Sequence, residues 1–353
     1  MATTDDGTRM TFLQEVRSAV SIRAALLVTG VLGLMVAFIT SYAGAFHAPK
    51  PTDIALGVVA PAQARGALVT KLDGLPGSPL DPRALPSREV ALQQLRDRKI
   101  DAALVVDPRS TTDRLLVASG GGAALSQATE AVVKAADRAE GRTLRTEDVR
   151  PAADGDSRSL SSFYLVVGWC VGGYLCAAIL AISAGARPAN TARAVIRLGA
   201  LAVYSLLAGL AGAVVIGPVL NALPGSLFGL WGLGALIVFA VGATTLAFQT
   251  LLGVIGIGLA ILVIVVFGNP SAGGAYPYPL LPPFWRAIGP ALPPGAGTWA
   301  SRSLAYFGGN GLTSSLPVLS AWAVGGVLLS VILAALRDRD RRNNTLAPVT
   351  PRA

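Results

Sequence analysis

The stretch Phe228–Gly268, FGLWGLGALIVFAVGATTLAFQTLLGVIGIGLAILVIVVFG, contains no Asp, Glu, Lys, Arg or His. A helix that crosses the hydrocarbon core of a bilayer needs about 20 apolar residues. This run is too long for one crossing and suits two. Phe248-Gln249-Thr250 is its most polar point and reads as the turn of a transmembrane hairpin. The hairpin ends at Asn269-Pro270-Ser271-Ala272-Gly273-Gly274, which cannot continue a helix. Residues 269–315, rich in Pro and Gly, then read as an outer cap.

Working outward, four more apolar segments have spanning length. Ala24–Tyr42 opens the membrane part, and the first span is bounded at 24–44. Ala43-Gly44-Ala45 resembles a signal-peptide cleavage site, but the long leader and the length of the apolar run favour an uncleaved anchor. Phe163–Ala184, Leu198–Leu220 and Val318–Leu336 follow, within a five-helix domain at 161–336. The expected fold is an α-helical polytopic membrane protein with six transmembrane helices and an inserted extracytoplasmic α/β domain. Gly168 and Gly172 form a GxxxG step suited to close helix packing. The two cysteines, Cys170 and Cys176, read as small apolar side chains of the second span.

Of 353 residues, 52% are hydrophobic and 14% charged, with net charge +9. Residues 45–160 carry 16 basic and 15 acidic side chains, so the excess lies beside the apolar segments and not on a nucleic-acid-binding face. Placing both termini inside puts Arg9, Arg17, Arg23, Arg187, Arg193, Arg197, Arg337, Arg339, Arg341, Arg342 and Arg352 in the cytoplasm. Only Arg286 and Arg302 of that set fall outside, as the positive-inside rule requires. The expected location is a bacterial plasma membrane, the high Ala, Gly and Arg content pointing to a GC-rich genome.

Residues 1–23 form a cytoplasmic leader, of which Met10–Arg23 can make an amphipathic helix on the inner surface. Residues 45–160 read as β-α-β-α-β-β-α: strands at Ile54–Ala60, Ile100–Val106 and Asp113–Ala118, and a short extended piece at Leu80–Pro86. Helices fall at Pro61–Leu72, Ser87–Lys99 with Ser87 as N-cap, and Ala123–Arg142. Thr143–Ser159 reads as a polar linker. Ala186–Arg197 reads as a cytoplasmic loop, and 337–353 as a basic tail.

The missing chemistry narrows the function. The four lysines follow Pro49, Thr70, Arg98 and Val133, so no Gly-Lys exists and the chain is no P-loop ATPase. His47 is the single histidine, which removes His-pair metal sites and His-based triads. No catalytic, cofactor or metal residue is expected, and the chain is not expected to be an enzyme alone. The span interiors carry no Asp, Glu, Lys, Arg or His, which disfavours an ion-coupled antiporter.

Within the cap, Phe284, Trp285, Ile288 and Leu292 recur at helical spacing. They suggest a short interfacial helix, with Trp285 as anchor and Arg286 meeting lipid phosphate or an outer-domain carboxylate. On that reading Trp285→Ala spares the fold and impairs function, whereas a rigid loop that only joins the fifth and sixth spans makes the substitution silent.

The order Asn269-Pro270-Ser271-x-Gly273-Gly274, Pro277, Leu281-Pro282, Phe284-Trp285, Ile288, Pro290, Leu292-Pro293 and Arg302 resembles the C-terminal region of the phage-infection-protein (YhgE/Pip) group of ABC-2-type transporter permeases. The order of one span, an outer α/β domain and five spans is similar too, although members of that group have much longer outer domains. The resemblance implies the permease subunit of an ATP-driven exporter of an amphiphilic or lipid-like substrate. It implies a homodimer in membrane lipid that works with a separate nucleotide-binding ATPase subunit. By the same analogy Arg17, Arg187, Arg193 and Arg197 belong to the ATPase-contact surface. The alternative is a non-transporting envelope scaffold or receptor whose outer domain binds a partner.

Overall fold

The computed structural model describes residues 21–346. The leader up to residue 20, with Arg9 and Arg17, lies outside the described residues, as does Arg352. Helix α1, Ile22–Phe46, begins at the N-cap Ser21, whose hydroxyl accepts the Ala24 N–H at 3.1 Å.

The chain then builds a five-stranded sheet. In order come β1 (Ile54–Val59), α2 (Ala62–Asp73), β2 (Leu80–Leu85), α3 (Arg88–Arg96), β3 (Ala102–Val105), β4 (Thr112–Val117), α4 (Ala123–Ala139) and β5 (Thr143–Asp148). The strand order is β2-β1-β3-β4-β5, parallel throughout except for the antiparallel β3–β4 pair. Alternation decides the faces. Ile54, Leu56, Val58, Leu104 and Leu115 pack under α2 and α4, while Ala103 and Leu116 meet Leu95 of α3 on the other side. Pro82 is tolerated because β2 is an edge strand. Ser87 caps α3 as expected, accepting the Val90 N–H. The expected linker at Thr143–Ser159 is corrected: its first six residues are the edge strand β5, paired to β4 from Thr112↔Thr143 to Val117↔Asp148.

Among the described residues five helices are long and apolar enough to cross a membrane: Ala24–Phe46, Ser161–Ala184, Thr191–Val219, Leu227–Leu252 and Leu312–Asp340. We label the last four α5 (Ser161–Ala184), α6 (Thr191–Val214, extended by a wider turn to Val219), α7 (Leu227–Leu252) and the final helix (Leu312–Leu346). Pro218 sits in that wider turn, where the Leu220 N–H reaches Val215 C=O at 2.9 Å. The expected loop at Ala186–Arg197 shortens, because Asn190 caps α6 and accepts the Arg193 N–H at 2.9 Å. The basic tail also begins as helix, continuing to Leu346.

The hairpin forms, but its turn is not at Phe248-Gln249-Thr250. Those residues are helical: the Thr250 hydroxyl donates to Leu246 C=O at 2.8 Å, and Gln249 is fully buried. The chain reverses at Gly253, whose φ of +67° suits glycine. The second arm comprises α8 (Ile255–Ile261) and a wider helical turn at Leu262–Gly268. At about 1.5 Å per residue it is shorter than the roughly 30 Å hydrocarbon core. The described residues thus hold five helices of spanning length and one shorter apolar arm where six spans are expected.

Helix α7 is the hub, in contact with α5, α6, α8 and the final helix. Close approach comes from glycines other than the expected pair. A Cβ on Gly168 would meet nothing within 4 Å, and one on Gly172 only the Tyr204 side chain. A Cβ on Gly173 of α5 would lie 2.6 Å from Val238 O, and one on Gly209 of α6 2.5 Å from Ala235 N. Gly326 of the final helix approaches Thr244 N equally closely.

The cap is corrected as well. It is largely helical, with α9 (Pro283–Ile288) and α10 (Pro293–Tyr306), so the final helix is α11. Pro293 and Pro294 start α10, where a missing N–H costs nothing. Every residue from Pro293 to Arg302 except Trp299 is buried, against α5, α7 and α11.

Candidate functional site at the junction of cap and sheet domain

The cap touches the sheet domain through three arginines. Arg286 pairs with Asp53 at 2.6 Å and donates to Thr52 C=O at 3.0 Å, so it meets the domain carboxylate that its position suggested. Trp285 is not an interfacial anchor. It is 9% exposed and packs on Ala45 at the end of α1 and on Leu281, with Phe267 alongside; Phe284, 56% exposed, is the ring that faces out.

Arg302 is 3% exposed. Its guanidinium donates to the carbonyls of Gly273 (2.7 Å), Gly274 (2.8 Å) and Ser159 (3.0 Å). The motif glycines therefore present carbonyls to a buried cation, and Gly274 also lets Phe163 of α5 approach. Asn269 is 6% exposed and its side-chain oxygen has no hydrogen-bond partner among the described residues. Pro270 and Pro282 flank these turns, Pro282 standing at the N-cap of α9.

Arg98 follows α3 in the left-handed region, with φ +58°. Its guanidinium lies 3.4 Å from the Trp299 ring centroid and donates to Trp299 C=O at 2.9 Å and Ser303 Oγ at 2.7 Å. The loop Ser119–Gly122 docks beside it. Side chains at Gly120 or Gly122 would collide with Tyr306 or Pro277. Tyr306 donates its hydroxyl to Asp156 at 2.6 Å, and Asp156 also accepts the Ser161 N–H at 2.8 Å.

These elements enclose a cavity of about 60 Å³, lined by Arg98, Asp101, Ser126, Tyr278, Trp299 and Arg302 among others. Burial pushes the Arg98 guanidinium down to about 9, with Arg302 adding repulsion. Burial likewise lowers Arg302 to about 10. Burial raises the Asp101 carboxyl, against the pull of its hydrogen bond from Ala55 N–H and of Arg98. Both arginines stay charged at neutral pH, and neither makes an ion pair among the described residues.

The opposite end of the bundle carries the other expected residues. Arg187 and Arg337 both donate to Leu251 C=O, at 3.4 and 3.2 Å, and Arg337 also to Thr250 C=O, where cations suit the end of α7. Arg193 is exposed. Arg197 is not on the surface: it is 7% exposed and donates to the Ala184 and Gly185 carbonyls at 2.8 Å, closing the end of α5. Among the described residues no cluster of His, Cys, Asp or Glu is placed to hold a metal ion.

Sequence reasoning missed Arg98 and the Gly120-Gly121-Gly122 run. The glycine triplet ahead of a helix was the available signal. Arg98 was hidden in the charged run Arg96-Asp97-Arg98-Lys99.

The makeup is that of a helical multi-pass membrane protein bearing a small sheet domain. No family model, curated protein or solved structure matches the chain.

Proposed function

We propose that the chain is the membrane subunit of an ATP-driven exporter of ABC-2 type, working as a homodimer in a bacterial plasma membrane. Its substrate is an amphiphilic or lipid-like molecule. The observation that carries this reading is the unequal equipment of the two bundle ends. One end holds the sheet domain and cap, clamped together by Arg98, Arg286 and Arg302. The other gathers Arg187, Arg193, Arg197 and Arg337 around the ends of α5 and α7. Between them the helices carry no Asp, Glu, Lys, Arg or His, so an ion gradient has no relay to act on. Energy then enters from another chain, and the exposed Arg187 and Arg193 are the residues left to meet it. The resemblance in residues 269–302 supplies the class of that chain, a nucleotide-binding ATPase.

The test is purification of the tagged full chain in mild detergent with identification of its partners. An ATP-binding subunit that co-purifies, and is lost in an Arg187→Glu, Arg193→Glu variant, supports the reading. No ATPase in any mild detergent, with export of amphiphiles unchanged on deletion, contradicts it.

A second reading is a scaffold or receptor. It is favoured by the half of the sheet face that α3 leaves uncovered, where Arg114 and Arg145 are exposed, register-paired neighbours on β4 and β5. Like charges so placed are unfavourable alone and suit an acidic partner.

A further inference from the structure

Independently of the exporter reading, we propose that the cavity between α3, α4 and the cap binds a small oxyanion, a phosphate or carboxylate group, between Arg98, Arg302 and the first turn of α4.

Three observations carry this. First, two guanidinium groups share one wall without an ion pair. Charges withdrawn from water are normally paired, because desolvation is costly. Arg302 is buried and Arg98 half-buried, and their hydrogen-bond and ring partners are neutral: carbonyls, the Ser303 hydroxyl and the Trp299 and Phe307 faces, with Asp101 and Asp156 attracting them only from beyond ion-pair distance. Asp101 is the one acid on the cavity wall, and it makes no ion pair with either arginine. Second, donors remain without a protein partner. Arg302 Nε and the Tyr278 hydroxyl are buried and unbonded, and both side chains belong to the wall. Burial raises the Tyr278 hydroxyl, which keeps it a donor. Third, α4 starts at Gly122, which has no side chain to cap it, so its first amides and positive dipole end stand beside Ser126 on the same wall. A space of about 60 Å³ admits a phosphate or carboxylate group and excludes a bulky ligand.

The chemistry is the same for a free anion and for the headgroup of an amphiphile, and the experiment separates them. The full chain is purified in maltoside micelles, which carry no phosphate, and its thermal unfolding is followed at constant ionic strength. Sodium phosphate or acetate is titrated against sodium chloride, and in a second arm phosphatidic acid is mixed into the micelles. The expected result is a saturable rise of several degrees, with half-saturation at least tenfold weaker in Arg98→Gln. A response to the salts identifies a free anion, and a response to phosphatidic acid alone identifies a headgroup. If Arg98→Gln does not fold, Ser126→Asp decides: a carboxylate built into the wall raises the transition without added anion and abolishes the increment. The proposal is overturned if no additive moves the wild type beyond the chloride control. It is equally overturned if Arg98→Gln, or Ser126→Asp, responds as fully as the wild type.

Discussion

Trp285 and Arg286 are adjacent in sequence and opposite in consequence. The ring of Trp285 is buried against Ala45 and Leu281, so Trp285→Ala should cost about 3–5 kcal/mol through the cavity left behind. That makes it a folding lesion and a poor functional probe. Arg286 and Asp53 are partly exposed, and such pairs are worth about 0.2–1 kcal/mol. Arg286→Ala should therefore leave thermal stability in detergent nearly unchanged, and any loss of activity it causes reports on the junction itself; equal destabilisation by the two variants would refute this division. Asp137 offers a pH test. Burial and the nearby Asp113 push its carboxyl up to about 6, against Arg142 and Lys71. A carboxyl raised above its unfolded value of roughly 3.9 favours folding fully below that pH, and the gain is lost as pH rises through about 6. Asp137→Asn should raise the unfolding temperature at pH 7.5, by on the order of 1–2 kcal/mol in stability, and lose its advantage near pH 4. An advantage independent of pH would contradict the assigned cause.

Elements were legible where one local signal dominated. Ser87 announced α3, and the apolar runs of β1 and β3 announced the sheet centre. The edge strand β5 was hidden because Leu144 is its one apolar residue, and an edge strand needs little more. The hairpin turn was misplaced because Gln249 and Thr250 look like turn residues, whereas Thr250 satisfies its hydroxyl within the helix and Gly253 supplies the required backbone geometry. Helix α10 was hidden by its prolines and glycines: the prolines start it, and Gly297 lies against Val166 and Ile237. Of the junction, the motif glycines and Arg302 were visible, but Arg98 joins them only through tertiary structure. The glycines of the bundle separate pattern from contact. Gly173→Leu should abolish a monodisperse folded peak in size-exclusion chromatography, because its side chain has no room beside Val238. Gly168→Leu should elute as the wild type does. The reverse outcome would restore the GxxxG step to the packing surface.

The whole molecule is polar along the bundle axis. Helix α1 and the short arm run side by side in the same direction, with Leu34 near Gly258 and the Ser41 hydroxyl bonded to Val266 C=O. The arm starts beside Arg187 and ends in the cap, so it connects the two ends although it is too short to count as a full span by itself. The exporter reading depends on those ends facing opposite sides of a membrane. The most direct measurement is labelling of single cysteines by an impermeant thiol reagent in a background lacking Cys170 and Cys176. A cysteine at Ser110, in the loop between β3 and β4, should be labelled on intact cells. One at Asn190, the cap of α6, should react only after permeabilisation. Labelling of Asn190 on intact cells, or protection of Ser110 until cells are opened, would contradict the account.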